Sequence, residues 1–309
     1  MTPLAPGRVD YLPIIVRPVI RWPNGARVAF WVAPNIEHYE YLPPLDGARN
    51  PWPRTPLPDV REYSDREYGN RVGFWRLLEV MDRYRVRGST TLNIGVLEHF
   101  PDIAEAMLER NWAFVNHGFY NTRYITSFTE DEEREFFRRC RETFKRLTGR
   151  ELKGQSGPAA SNTERTPDIV AEAGFVYQTD WKIDDHPLPI KVRSGKLVCI
   201  PYTSELNDAP LVRLHYEADY YARICKAQFD QLYREGEENG RLMCIAFHPY
   251  VMGRPHRANY LAEVLDYVRS HDRVWHATTD EIADYYLAHY YDAAVAHASE
   301  IAMRASSRR

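Results

Sequence analysis

The sequence predicts an α/β fold in which helices cover a parallel sheet, and three observations carry that prediction. Short apolar runs alternate with segments of helical period along most of the chain, the pattern of strand–helix–strand units. With 309 residues, 44% of them hydrophobic and 27% charged, there is material for one barrel-sized domain. No repeat and no linker divides it, so the sheet is either doubly wound or closed as a barrel.

The first strand is read at Arg27-Val-Ala-Phe-Trp-Val-Ala33, an apolar run bounded by Asn24-Gly25 and Pro34. Around it, the first 70 residues are dense in proline, with Pro43, Pro44, Pro51, Pro53, Pro56 and Pro58 forbidding regular helix or a central strand. Phe74, Leu77, Leu78 and Met81 recur at helical spacing within 72–85, and Thr90 to Ile94 then reads as a strand. A helix is expected over 101–110, with proline at its start where the missing N–H costs nothing. Trp112 to Asn116 is a buried strand. Thr129 and the acidic run behind it open a long helix that Gly149 closes. A helix over 165–173, strands over 175–179 and 197–200, a helix over 220–238 and a strand over 242–247 complete the alternation. The closing segment, 279–304, reads as helix, either a last packing helix or an oligomer contact.

Composition narrows the function. Forty basic against 43 acidic residues give a formal charge of −3, so no global field favours a phosphate backbone, and a small, roughly neutral ligand fits better than nucleic acid. No apolar run approaches the roughly 18 to 20 residues that cross a bilayer, and residues 1–10 lack the pattern of a secretory signal. The expectation is a cytoplasmic chain with no membrane partner. Cys140, Cys199, Cys225 and Cys244 are too scattered for a zinc ribbon or a disulfide framework and are expected to be buried thiols. Gly-x-Gly-x-x-Gly, P-loop and Gly-x-Ser-x-Gly motifs are all missing, which leaves dinucleotide, nucleotide and serine-hydrolase chemistry without a motif.

In parallel α/β folds the reactive side chains stand just past the C-terminal ends of strands. Applied as a filter, that rule selects Asn35 and Glu37 after the first strand, and His117 and Asn121 after Trp112–Asn116. It also selects Asp180 and Asp184 after the strand ending at Thr179, and His248 after the one ending at Phe247. His117-Gly118 is the sharpest of these, since glycine permits close backbone approach beside a titratable ring. Arg254, in Gly253-Arg-Pro-His-Arg257, could hold a carboxylate or a ring carbonyl.

These residues, in this order, resemble the polysaccharide deacetylase (NodB-homology) superfamily, and within it the branch containing metal-independent allantoinase. The resemblance rests on Trp22-Pro-Asn-Gly-Ala-Arg-Val28, Asn35-Ile-Glu37, Arg66-Glu-Tyr-Gly-Asn-Arg-Val-Gly-Phe-Trp75, His117-Gly118 and Asp180-Trp181 with Asp184-Asp185. It continues through Pro201-Tyr-Thr203 with Asn207-Asp208 and His248-Pro-Tyr-Val-Met-Gly-Arg-Pro255. It spans roughly 20–285 and implies a single-domain, distorted (β/α) barrel of about seven strands. An N-terminal Pro-rich extension over 1–65 would include the first strand, and a helical tail would follow over 286–309. The branch implies a homo-oligomer, dimer or tetramer.

Departures from the superfamily pattern decide the chemistry it implies. The usual family member has Asp-x-Asp after the first strand, base then metal ligand, and His-x-x-x-His for the other two ligands. The matching positions here are Asn35, Glu37, His117 and Asn121. An amide cannot take a proton and ligates zinc poorly, so no tightly bound metal and no cofactor are expected. The expected activity is hydrolysis of a non-peptide C–N bond in a small cyclic amide of the allantoin, hydantoin or imide type. Glu37 would be the base, His117 its partner or alternative, and His248 the acid. Asn35, Asn121, Asp184, Asn207 and Arg254 would bind substrate. Two alternatives stand beside this: a metal-dependent deacylase using Glu37, His117 and either His248 or Asp184, and a barrel that binds a small molecule after losing catalysis.

Overall fold

A computed structural model describes residues 7–44 and 57–306. Its elements in chain order are β1 (Val28–Ile36), α1 (Val60–Tyr68), a π-helical turn (Gly69–Gly73), α2 (Phe74–Arg83), β2 (Ser89–Leu92), α3 (Gly95–His99), α4 (Pro101–Glu109) and β3 (Ala113–Asn116). There follow α5 (Glu130–Thr148), β4 (Gly154–Gln155), α6 (Thr166–Glu172), β5 (Tyr177–Gln178), β6 (Leu188–Ile190), β7 (Leu197–Cys199), α7 (Asp208–Arg213) and α8 (Ala218–Glu235). The chain ends with β8 (Arg241–Phe247), α9 (Ala258–Arg269), β9 (Val274–His276), α10 (Thr279–His289) and α11 (Tyr291–Ser306).

The strands form one curled sheet in the order β6-β7-β5-β4-β3-β2-β1-β8, parallel except for the β6–β7 pair, with β9 set against β1. Among the described residues the far edge of β8 meets the opposite end of the sheet through an isolated bridge, Asn207 to Ala246, and a bond from the Leu242 N–H to the Asp185 carbonyl, rather than through a continuous ladder. That incomplete closure makes the barrel distorted, and its nine strands include three short ones, β4, β6 and β9, that the sequence pattern does not mark.

Alternation along β1 sorts the core into two layers. Val28, Phe30 and Val32 face the helices, while Ala29, Trp31 and Ala33 face the barrel interior with Val115, Tyr177, Val198 and Cys244. The small alanines leave room for Trp31 between β1 and its neighbours. Ile282, Ala283 and Tyr286 of α10 and Ala294 of α11 join this interior cluster. The closing segment is therefore a packing unit, broken at Tyr290 into two helices. The boundary expected at 285/286 falls inside α10.

Two local expectations are corrected. Strand β1 continues through Pro34 to Ile36, at the point where its second neighbour changes from β9 to β2. Proline density does not forbid helix up to residue 70: α1 starts two residues after Pro58, with the Asp59 carboxylate accepting from the Glu62 N–H as its cap. The predicted opening and closing of α5 match the structure, with a capping box between Thr129 and Glu132 and Gly149 in the left-handed region at φ 71°. All four cysteines are buried and unpaired. Among the described residues no helix is long and apolar enough to cross a membrane.

Candidate active site

The C-terminal ends of β1, β3, β5 and β8 converge on a cavity of about 270 Å³ lined by Asn35, Glu37, Tyr39, Arg66, His117, Asn121, Asp180, Tyr202, Asn207 and His248, among others. Glu37 leaves the end of β1 and is buried. Its main-chain carbonyl accepts from Asn70 Nδ2 at 2.9 Å, which ties the strand end to the π-helical turn. Its Oε2 accepts from the Tyr39 hydroxyl at 2.8 Å, leaving Oε1 to face two imidazoles. His117 Nε2 stands 3.7 Å from Oε1 and His248 Nε2 stands 3.5 Å from it.

The two histidines are held differently. His117 Nδ1 donates to the Ser156 carbonyl at 2.8 Å, while Asn93 Nδ2 donates to the carbonyl of His117 itself. Gly118, at φ 72°, then turns the chain away in a region that a side chain would make strained. His248 Nδ1 bonds instead to the buried Asp208 carboxylate at 2.8 Å, and that carboxylate also accepts from the His248 and Met252 N–H groups. Burial alone would lower the His248 pKa, but the Glu37 and Asp208 charges outweigh it and push it up to about 9. Burial would raise Glu37, yet the charge on His248 and hydrogen bonds from both imidazoles hold its carboxyl well below the usual range. At neutral pH the pocket therefore pairs a carboxylate with an imidazolium.

The loop bearing His248 is seated on backbone. A Cβ at Gly73 would lie 2.0 Å from the Pro249 carbonyl oxygen, and one at Gly69 would lie 2.8 Å from the Tyr250 N. Only glycine at these two positions lets the π-helical turn and the His248 loop touch. The π turn itself is closed by the Phe74 N–H bonding to the Gly69 carbonyl.

Of the eight site residues expected from the sequence, six line this cavity and two do not. Asn35 lines it with a fully committed amide: Nδ2 donates to the Ala33 and Phe247 carbonyls and to Tyr202, and Oδ1 accepts from Thr91 at 2.5 Å. It ties β1 to β8 and β2, so the amide expected to bind substrate is also engaged within the protein. Asn121 Nδ2 donates to Tyr39 at 2.5 Å, and its Oδ1 is buried without a partner. Asn207 caps α7 through the Ala209 N–H and points Nδ2 at Tyr202. Asp184 is elsewhere, held by the Arg17 guanidinium and accepting from the His186 N–H at 3.0 Å. Arg254 stacks over the Tyr68 ring at 3.8 Å and pairs with Asp65, outside the cavity. Both are satisfied by partners far off in sequence. The covering loop expected over 41–58 lies, for residues 45–56, outside the described residues.

Sequence reasoning gave no role to Asp208, Tyr39 or Arg66. Tyr39 carried a usable signal: Asn35, Glu37 and Tyr39 fall at alternate positions, which a strand running into an extended loop turns to one side. Arg66 lies over the Tyr39 and Tyr250 rings at 5.3 and 4.7 Å, and its Nε is buried without an acceptor.

The superfamily's usual metal can be tested against these groups. The three matching positions offer one carboxylate, one imidazole and an amide. Among the described residues no three His, Cys, Asp or Glu side chains are grouped to hold an ion. The donor set does not fit a zinc-type ion.

Residues 65–178 match the polysaccharide deacetylase family model. A putative polysaccharide deacetylase of Schizosaccharomyces pombe is 26% identical over 306 residues, covering 88% of this chain and 94% of its own length. A peptidoglycan deacetylase of Helicobacter pylori is 22% identical over 254 residues, covering 71% and 85%. Among solved structures, a probable polysaccharide deacetylase of Pseudomonas aeruginosa superposes with a TM-score of 0.78 at 26% identity, covering 89% of this chain and 95% of that one. The PuuE allantoinase superposes with a TM-score of 0.77 at 26% identity, covering 91% and 99%. The NodB-type barrel, with its polar residues gathered at the strand ends, is thus similar over most of its length to polysaccharide deacetylases and to the PuuE allantoinase, and residues 65–178 carry the polysaccharide deacetylase family match.

Proposed function

We propose that this chain hydrolyses the amide bond of a small cyclic ureide or imide, with Glu37 as general base and His248 as general acid and no step routed through a metal. The observation that carries the reading is the Glu37–His248–Asp208 arrangement, a carboxylate oxygen 3.5 Å from an imidazolium that a second, buried carboxylate holds at 2.8 Å. Glu37 Oε1 takes a proton from water, whose oxygen forms the new bond to the ring carbonyl carbon. His248 Nε2 gives its proton to the ring nitrogen as the C–N bond breaks, which opens the ring to an acid and an amine or urea. The contact between Oε1 and Nε2 then lets the proton on Glu37 return to His248. Arg66, with its buried and unpartnered Nε, is the charged donor available to the developing oxyanion. The open Asn121 Oδ1 can accept a ring N–H, since a buried acceptor gains by finding a donor.

Similarity to the PuuE allantoinase supports a ring substrate. The test is a panel of hydantoin, dihydrouracil, succinimide and allantoin against N-acetylglucosamine oligomers. Ring opening of at least one cyclic compound, undiminished by chelator, is expected, with no acetate released from the oligomers. Acetate release, or a chelator loss restored by zinc, would replace this reading with a metal-dependent deacylase. Tight binding of the rings without turnover would replace it with a binding barrel.

A further inference from the structure

The carboxylates deep in the cavity are all accounted for. Glu37 lies between two histidines, and Asp208 is committed to His248. The Asp180 carboxylate accepts from Ser156 at 3.1 Å, the Gly157 N–H at 2.9 Å, Asn162 at 2.9 Å and Gln178 at 2.8 Å. The rim differs. Lys182 and Arg213 line the same cavity and are exposed, and neither makes an ion pair among the described residues. Lys182 holds its ammonium 5.7 Å from the centroid of the Tyr202 ring, whose hydroxyl meets Asn35 and Asn207. Arg213 closes α7, the helix that begins with Asp208. Ala209 and Pro210 of that helix also line the cavity and are too small to screen Arg213 from it.

We propose that Lys182 and Arg213 form a carboxylate-binding rim, so that the substrate is a cyclic ureide or imide bearing an acidic substituent. This rests on the ring-opening reading above and names its substrate class. An amide ring inside would leave a substituent pointing out between two cations, each able to form a charge-assisted hydrogen bond. Carboxylate suits this rim better than phosphate, because phosphate sites usually recruit main-chain N–H groups at a helix N-terminus. The N-terminus of α7 is already capped by Asn207 and committed to the acid pair, and Arg213 stands at the other end. The formal charge of −3 on the whole chain does not oppose this, since a local pair of cations sets the potential at the mouth.

The test titrates the full chain calorimetrically with hydantoin and with hydantoin-5-acetic acid, then repeats both with Lys182→Met and Arg213→Met, and follows ring opening of the two compounds in parallel. Wild type is expected to bind the acid about tenfold more tightly than the parent ring. That preference should shrink as salt is raised, and each substitution should cut it to within about twofold, with unchanged circular dichroism. Equal binding of the two compounds, no detectable binding of the acid, or a preference unaffected by both substitutions overturns the proposal. Ring opening is a separate readout. Cleavage without acid preference overturns the rim and leaves the ring-opening reading standing, whereas acid preference without cleavage of either compound does the reverse.

Discussion

The ends of β3 and β8 each deliver a histidine to the same oxygen of Glu37, at 3.7 and 3.5 Å, yet the two strand ends are built for different work. Behind His117 is a main-chain carbonyl, a neutral acceptor that fixes the ring without adding charge. Behind His248 is a carboxylate buried to 1% exposure, which fixes the ring and holds a proton on it. Distance to the base does not separate the roles; the partner on the far nitrogen does. On the proposed reading the β8 end is the proton donor, and the β3 end positions Glu37 and the substrate.

The largest way to break this comparison is to remove what the two ends share. Glu37→Gln should lower kcat by about 10³-fold while circular dichroism stays close to wild type, since the side chain sits at a strand end outside the core clusters; thermal stability at neutral pH should fall, because the variant also loses the charge that helps hold the proton on His248. A variant keeping most of its activity would show that Oε1 is not the base.

Asp208→Asn acts on one end alone. It should lower kcat by about 10²-fold and move the alkaline limb of the rate profile to lower pH. An unmoved limb would show that Asp208 only shapes the loop. The corresponding change cannot be made behind His117, because Ser156 contributes its main chain.

The same contrast can be sharpened by pH without mutation. His248 works protonated, so kcat should fall about tenfold per pH unit above about 9. Its folded pKa lies above the unfolded value, so the stability it contributes is complete below about 6.5 and is lost as pH rises through about 9. Thermal melts across pH 6 to 10 should decline in step with the rate, and a flat melt would remove the ion pair from the account.

The smallest effect is expected from Tyr39→Phe, which frees Glu37 Oε2 and leaves the Asn121 N–H without its acceptor. A loss of about 1 kcal/mol in stability and a rate loss of only severalfold are expected. A loss as large as that of Glu37→Gln would give Tyr39 a part in proton transfer.

The strand ends were legible in the sequence because each is a short apolar run halting at a polar residue, and that pattern is local. Glu37, His117 and His248, which line the cavity, were selected that way. Asp184 satisfied the same rule and failed, since its partner Arg17 is 167 residues away and no local pattern records it. Asp208 was visible only as part of a motif, because its role depends on a main-chain and side-chain contact with β8 across 40 residues. Strands β4 and β5 are two residues each, too short for any period to mark their ends, although the run read over 175–179 does contain β5. Helix α1 was hidden because proline density was averaged over a window that outlasts the prolines themselves.

The seating of the His248 loop on Gly69 and Gly73 has a consequence for how such a site can diversify. The proposed proton donor, His248, is located by backbone meeting backbone, between segments roughly 180 residues apart in the chain, rather than by the side chains that line the cavity. The cavity walls can be exchanged residue by residue to admit new rings and substituents while the acid stays in register with its base. The price of that freedom is concentrated at two glycines, where even a methyl group would shift the donor for every substrate at once.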